Sequence, residues 1–355
     1  MEVDRRNLSK DGIRGFHRYR KEGSRPPRWR ALARQGSGWK SDDARTAPWL
    51  GFNPANIQAK QPIHHWTVDA PAHSKSGAGL RRVRAASICP YMDLQLRGKR
   101  ALVSGSTAGI GLAIAVDLAR EGAEVILNGR TRDRVDAAAD RVRTEVRGAR
   151  VDGIAADLTA AAGAGQITAR FPEVDILVNN VGIFRSVPFE KIDDAEWIHL
   201  FETNVMSGVR LCRHYFPRML KRDWGRILFI SSESALQIPV EMIHYGLTKT
   251  AQLALARGLA ELTIGTGVTV NTVLPGPTRS EGVVSFVEEL ARQGGKPPVE
   301  VEKEFFRSMR PTSLLQRFAE PAEVAHIVSF LASPLASATN GAAVRVDGGV
   351  VRAIV

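Results

Sequence analysis

From residue 100 onward the chain repeats one alternation: a short run of β-branched and aliphatic residues, a turn, then a stretch of helical periodicity. RALVSG (100–105), EVILNG (124–129), VDGIAAD (151–157), DILVNN (175–180), RILFIS (226–231), VTVNTVLPG (268–276) and AAVRVDGG (342–349) read as strands. Between them IGLAIAVDLAREG (110–122), TRDRVDAAADRVRTEV (131–146), the regions near 193–220 and 245–263, and AEVAHIVSFLAS (322–333) read as helices. Strands that are apolar on both faces need cover on both faces, and a helix between successive strands makes neighbours parallel. The expected fold class is α/β: a single doubly wound (Rossmann) domain, with a seven-stranded parallel sheet and helices on both faces.

The remainder of the chain does not share this pattern. Residues 1–91 show no sustained period of 3.6 or 2, and they mix Arg, Pro, Gly and Ser with four of the six tryptophans. They also hold the charge: 18 Lys and Arg against 7 Asp and Glu give +11 of the chain's +12, so the other 264 residues are close to neutral. The basic balance therefore belongs to the extension and gives no reason to expect nucleic acid as a partner of the domain. Residues 1–91 are expected to be a disordered basic N-terminal extension or a misassigned start, with the protein proper beginning at Met92. Residues 92–355 are then the Rossmann domain. Cys89 and Cys212 are too few for a disulfide framework, no apolar run approaches the ~20 residues of a membrane span, and the amino terminus lacks a secretory core. A cytoplasmic protein without membrane contact is the expectation, and no metal-ligand spacing occurs.

The first strand leads into SGSTAGIG, with Gly105, Gly109 and Gly111 followed at once by a helix. Glycines permit positive φ and close backbone approach, while free N–H groups at a helix start favour a pyrophosphate. In this position the turn indicates a dinucleotide. The second strand ends in NGRTR, where an adenosine ribose would lie; there is no acidic residue, and Arg130 stands just beyond Gly129, with Arg132 a weaker second candidate. A guanidinium there compensates a 2′-phosphate, so NADP(H) is preferred and NAD(H) remains possible.

Residues 92–355 resemble a short-chain dehydrogenase/reductase of ordinary length, close in pattern to 3-oxoacyl-ACP-reductase-like members. The glycine turn matches the cofactor motif, with Ser104 for the commoner threonine, and NNVG (179–182) resembles the family's Asn-Asn-Ala-Gly with Val181 in the alanine slot. Asp157 matches an adenine-contacting aspartate. The resemblance implies a catalytic set of Ser232, Tyr245, Lys249 and Asn204, the last supporting a water in the proton relay. It implies cofactor contacts from Gly105, Ser106, Thr107, Gly109, Ile110, Gly111, Asp157, Leu158, Asn180, Gly182, Tyr245 and Lys249, and from Pro275, Gly276 and Thr278 of PGPT. It also implies a homodimer or homotetramer.

Elementary chemistry makes sense of the pair in HYGLTK (244–249). Residues four apart share a helix face, so Lys249 can approach the Tyr245 hydroxyl, and a neighbouring positive charge favours phenolate. Tyr245 then trades a proton with a carbonyl oxygen while Ser232 holds that oxygen. His244 is given no role. The expected activity is interconversion of a small-molecule ketone or aldehyde and its alcohol by hydride transfer, a 3-oxoacyl thioester being one candidate substrate. The alternative is a cofactor-sensing regulatory protein with this fold, which would have no use for the proton-relay set. The family resemblance also implies that residues 279–318 are a substrate lid, whose Val283, Phe286, Val287 and Leu290, then Phe305, Phe306 and Met309, either close over the substrate or pack on the domain. Arg307, Arg310 and Arg317 are either solvated or a lure for an anionic substrate.

Overall fold

Seven runs of Val, Ile and Leu, each too apolar to face water, combine into one parallel sheet. In the computed structural model, which describes residues 92–354 apart from the side chain of Phe286, every expected strand forms, most with slightly shifted ends, and every expected helical region is helical. The extension 1–91, and with it the expected boundary before Met92, lies outside the described residues. In chain order the elements are β1 (Arg100–Val103), α1 (Gly109–Arg120), β2 (Glu124–Gly129), α2 (Arg132–Glu145), β3 (Val151–Ala155), α3 (Ala161–Arg170) and β4 (Ile176–Asn179). There follow α4 (Asp194–Phe201), α5 (Ser207–Lys221), β5 (Gly225–Ile230), α6 (Ile243–Glu261), β6 (Val268–Pro275), α7 (Glu281–Gly294), α8 (Pro298–Ser308), α9 (Pro321–Ala332) and β7 (Ala343–Val346). Among the described residues no helix is long and apolar enough to cross a membrane.

The strand order is β3-β2-β1-β4-β5-β6-β7, all parallel, with Val103 of β1 level with Leu127 on one side and Val178 on the other. This is the doubly wound Rossmann arrangement. Because the chain leaves β1 toward β2 and returns to β4, the loops after β1 and β4 diverge, and a crevice opens at their carboxyl ends. One core lies between the sheet and α1, α2 and α9, including Ile114, Leu118, Val328 and Leu331; the other lies on the opposite face against α3, α5 and α6, including Ile167, Leu211, Tyr215 and Ala256. A third, small cluster is built within the lid from Val287, Ala291, Val301, Phe306 and Phe318.

The expected helix near 193–220 is interrupted. A π-helical turn, Glu202–Met206, separates α4 from α5. The widened turn buries Thr203, Asn204 and Val205 under α6, and such bulges concentrate at functional sites.

β5, which leads to the site, is anchored by a buried cation. Arg226 donates to the carbonyls of Gly225 at 2.9 Å, Gly267 at 2.8 Å and Ser333 at 3.2 Å, and its guanidinium lies 4.8 Å from the Trp224 ring centre. Its bonds tie the starts of β5 and β6 to the residue after α9. Arg226→Met would strand these carbonyls, and one orphaned buried polar group costs about 1–3 kcal/mol. The variant is expected to lose at least ~2 kcal/mol, read as a lower urea midpoint with an unchanged denaturant slope.

Candidate active site

The glycine turn is shaped by what it must not touch. Gly105 and Gly109 have φ of +62° and +54°, a region open to glycine at little cost. Gly111 has ordinary φ but no room: a Cβ there would lie 2.4 Å from Asn180 Nδ2 and 2.5 Å from the Gly105 carbonyl. That crowding reflects a lock between β1 and β4. Asn180 Nδ2 donates to the carbonyls of Ser104 and Gly105, both at 3.0 Å, while Ser104 Oγ accepts from the backbone N–H of Asn180 at 2.9 Å and of Val181 at 3.2 Å. Ser104 and Asn180 thus hold the turn in place. Val181 fills space beside Gly105, its Cγ2 lying 3.0 Å from where a Cβ would stand.

A cleft of about 740 Å³ runs from this turn across the carboxyl ends of the strands. Gly105, Thr107, Gly109, Ile110, Gly111, Arg130, Asp157, Leu158, Asn180, Gly182, Pro275, Gly276 and Thr278 line it, as do Ser232, Tyr245 and Lys249. Two expected residues do not. Ser106 turns inward, donating to the Val103 carbonyl at 2.7 Å and accepting from Asn128 N–H at 3.0 Å, so its side chain braces β1 against β2. Asn204 is buried behind the cleft: its amide bonds the Ile183 N–H and carbonyl at 2.8 and 2.9 Å and Thr248 Oγ1 at 2.9 Å. Its main-chain carbonyl accepts from Gln252, whose Oε1 accepts from Lys249 Nζ at 3.3 Å. The link from the π turn to Lys249 therefore runs through Gln252.

At the adenosine end, Arg130 is joined by Arg134, which also forms an ion pair with Glu281 of α7 at 3.3 Å. Arg132 instead pairs with Asp136 at 2.8 Å on the exposed side of α2. A bond from the Thr159 N–H at 3.0 Å, helped by the Arg130 charge, holds the Asp157 carboxyl below its usual range.

At the other end, Lys249 is buried, and Gly182 lets it approach: a Cβ there would sit 3.1 Å from Nζ. Its ammonium donates to the Ile230 carbonyl at 3.0 Å and lies 5.6 Å from the Tyr245 ring centre. The expectation that Lys249 makes Tyr245 acidic is not met by this geometry. Burial pushes the phenol well above its ordinary value, Glu233 adds to the rise, and a hydrogen bond with Ser232 and the charge of Arg310 draw it back only in part. Desolvation dominates both partners, lowering Lys249 to about 8. His244 packs on Trp197, ring centres 5.7 Å apart, and does not line the cleft.

The charged cluster around Ser232 was not visible in the sequence as a site. Glu233 and Arg310 are both buried and pair at 3.1 Å, and Arg310 also reaches Glu241 at 3.4 Å. Of Arg307, Arg310 and Arg317, Arg310 alone enters the cleft; Arg307 is exposed and Arg317 pairs with Glu323 at 2.8 Å. The one available signal was an acid directly after a strand end, in ISSES. The lid's apolar residues divide both ways: Val287, Ala291 and Val301 pack among themselves, while Val283, Phe305, Met309 and Phe318 face the cleft.

Comparison with known proteins decides the family. The family model described as short chain dehydrogenase matches residues 99–291, a span holding the glycine turn, Asn204, Ser232, Tyr245 and Lys249. The chain belongs to the short chain dehydrogenase family. An uncharacterized oxidoreductase of Bacillus subtilis (strain 168), YvaG, is 49% identical over 263 residues, covering 74% of this chain and 100% of that protein. The 3-oxoacyl-[acyl-carrier-protein] reductase FabG of Aquifex aeolicus (strain VF5) is 32% identical over 266 residues, covering 73% and 100%. Among solved structures, L-sorbose reductase from Gluconobacter frateurii complexed with NADPH and L-sorbose matches with a TM-score of 0.70 and 32% identity, covering 74% of this chain and 100% of that one. As a short chain dehydrogenase, this chain is an oxidoreductase.

Burial of Lys249 has a consequence for stability. Between about 8 and the ordinary 10.5 the unfolded chain binds more protons at this position than the folded one, so the lysine's contribution to stability rises as pH climbs through that window. Relative to Lys249→Met, the parent protein is expected to gain stability from below that window to its upper end. Urea denaturation of both proteins at the two pH values measures the difference.

Proposed function

We propose that this enzyme interconverts a neutral ketone or aldehyde and its alcohol with NADP(H), with Tyr245 as general acid and base. The observation that carries the reading is that Ser232, Tyr245 and Lys249 line the same cleft as the glycine turn. The residues at the turn fit a dinucleotide: Gly105 and Gly109 at positive φ, Gly111 where a Cβ would strike Asn180, a helix N-terminus beyond them, and two arginines, Arg130 and Arg134, toward the adenosine end. NADPH is the cofactor in the related L-sorbose reductase structure.

When bound, the nicotinamide supplies the hydride to the carbonyl carbon or accepts it from the alcohol. Tyr245 gives its proton to the carbonyl oxygen in reduction and receives one in oxidation. Ser232 positions that oxygen, and Lys249, with its value lowered to about 8, exchanges protons near neutral pH and supports the phenol from its own helix. The substrate end joins apolar Phe184, Met242 and Met309 to Glu233, Glu241 and Arg310. Two carboxylates around one guanidinium disfavour a free carboxylate there, which supports neutral carbonyl compounds, sugars or thioesters among them, over oxo acids.

A panel of L-sorbose, acetoacetyl thioester and acetoacetate, assayed with NADPH and NADH, tests the reading; reduction confined to acetoacetate would overturn the preference for neutral substrates. In Tyr245→Phe, turnover is expected to fall by at least about 100-fold with NADPH binding retained, since general acid catalysis contributes that much or more. Unchanged turnover in this variant would refute the assignment. Arg130→Ser is expected to lose about tenfold to a hundredfold in kcat/KM for NADPH and little for NADH, the worth of a charge-assisted hydrogen bond to a phosphate. Equal losses with both cofactors would place Arg130 outside phosphate recognition.

A further inference from the structure

The substrate end of the cleft is built around charges that the reaction as described does not use. Glu233 and Arg310 are both buried, and Glu233 Oε1 accepts from Arg310 Nε at 3.1 Å. Arg310 Nη1 donates to the Met309 carbonyl at 2.8 Å and to Glu241 Oε1 at 3.4 Å, while Glu233 Oε2 accepts from Ser232 Oγ at 2.5 Å. A buried ion pair is a costly way to stabilise a fold, since apolar residues of similar volume serve as well or better. Here the charges stand in the wall of a cleft, which points to a ligand.

The set does not satisfy itself. Among the described residues Arg310 Nη2 and Glu241 Oε2 have no hydrogen-bond partner, and neither atom is sealed within the protein. Both residues line the cleft beside Ser232 and Tyr245. The wall therefore offers N–H groups that need an acceptor and a carboxylate oxygen that needs a donor. A ligand that displaces water from them must replace both kinds of bond or leave charged groups unpaired. A carboxylate brings no donor for Glu241, an ammonium brings no acceptor for Arg310, and a methylene chain brings neither; a hydroxyl brings both. Two carboxylates against one guanidinium also leave a negative charge in excess, which disfavours a phosphorylated compound.

Glu233 bonds the same Ser232 hydroxyl that positions the reacting oxygen, so the charged set begins beside the carbonyl and not at a far end of the cleft. We propose that the substrate is an unphosphorylated α-hydroxy ketone or aldehyde, and that Arg310 and Glu241 bind the hydroxyl on the carbon next to its carbonyl. The apolar Phe184, Met242 and Met309 at the same end meet the carbon skeleton. This inference rests on the reading of the cleft as a site of carbonyl chemistry, and within that reading it selects hydroxylated compounds over acyl thioesters.

The test compares hydroxyacetone with acetone, which differ in one hydroxyl, as substrates of the full chain with NADPH. The parent is expected to favour hydroxyacetone by at least about tenfold in kcat/KM, a modest share of what a site built for a hydroxyl discriminates. In Arg310→Met and in Glu241→Ala that ratio is expected to fall at least about threefold. A merely structural role would weaken both reactions alike and leave the ratio unmoved. The hydroxyl also activates its carbonyl electronically, but that advantage persists in the variants, so the change in ratio is what decides. Equal kcat/KM for the two ketones in the parent, or a ratio that persists in both variants, overturns the proposal. Circular dichroism reports folding; should Arg310→Met not fold, Glu241→Ala decides alone. NMR titration with propylene glycol and isopropanol repeats the comparison without turnover: the diol is expected to bind the parent at least about tenfold more tightly and to lose that advantage in the variants. If the parent reduces neither ketone, the reading of the cleft as a carbonyl site fails, and this binding ratio still decides whether the wall recognises a hydroxyl.

Discussion

The hydrogen bonds between Ser104 and Asn180 are the constraint on which the site depends. Parallel strands cannot turn back directly, so β1 and β4 send their chains to opposite faces of the sheet and leave a gap at their carboxyl ends. A gap alone would be a loose rim. One serine hydroxyl accepting two backbone N–H groups, and one asparagine amide reaching two carbonyls, convert it into a rigid ledge with Gly111 fitted beneath. The glycines are therefore required from two directions: by the positive φ of Gly105 and Gly109, and by the packing that holds Gly111 against Asn180.

On that ledge the dominant electrostatic influence is exclusion of water. Burial disfavours charge on Tyr245 and Lys249 alike, raising one and lowering the other, so a phenol and an amine of ordinary solution chemistry are brought toward a common neutral state. Glu233 and Arg310 bring a second pair of charges into the same place, and the lid segment delivers one of them. Helix geometry puts the amine near the phenol ring, but hydrogen bonds to the Ile230 carbonyl and Gln252 decide where the amine points.

Most of the fold was legible because it is written in short-range pattern. Each strand lies within two residues of its expected limits at either end except β7, trimmed by three at its carboxyl end, and helix periodicity located the layers around the sheet. What escaped were features that depend on distant partners. Nothing local distinguishes Arg310 from Arg307 or Arg317, three cations in one polar stretch; only the fold brings the first against Glu233, 77 residues earlier. Ser106 sits within the glycine motif and resembles a ligand in one dimension, yet its hydroxyl is consumed by Val103 and Asn128. The π turn at Asn204 was likewise invisible, since one added residue in a helical turn leaves the apolar pattern on either side intact. The direction of the tyrosine's acidity was misjudged for a related reason: spacing reports which groups are neighbours, whereas desolvation depends on everything else around them.

The small cluster within residues 279–318 makes that segment a packing unit of its own. Phe306, Phe318, Val287, Ala291 and Val301 form a nucleus distinct from the two cores on the sheet, and Arg279 braces it from the side through Glu302 and Glu320. Helices joined by their own nucleus keep their shape when they part from what lies below. Phe305 and Met309, which line the cleft, are tied to this unit, so any displacement of it would shift both together.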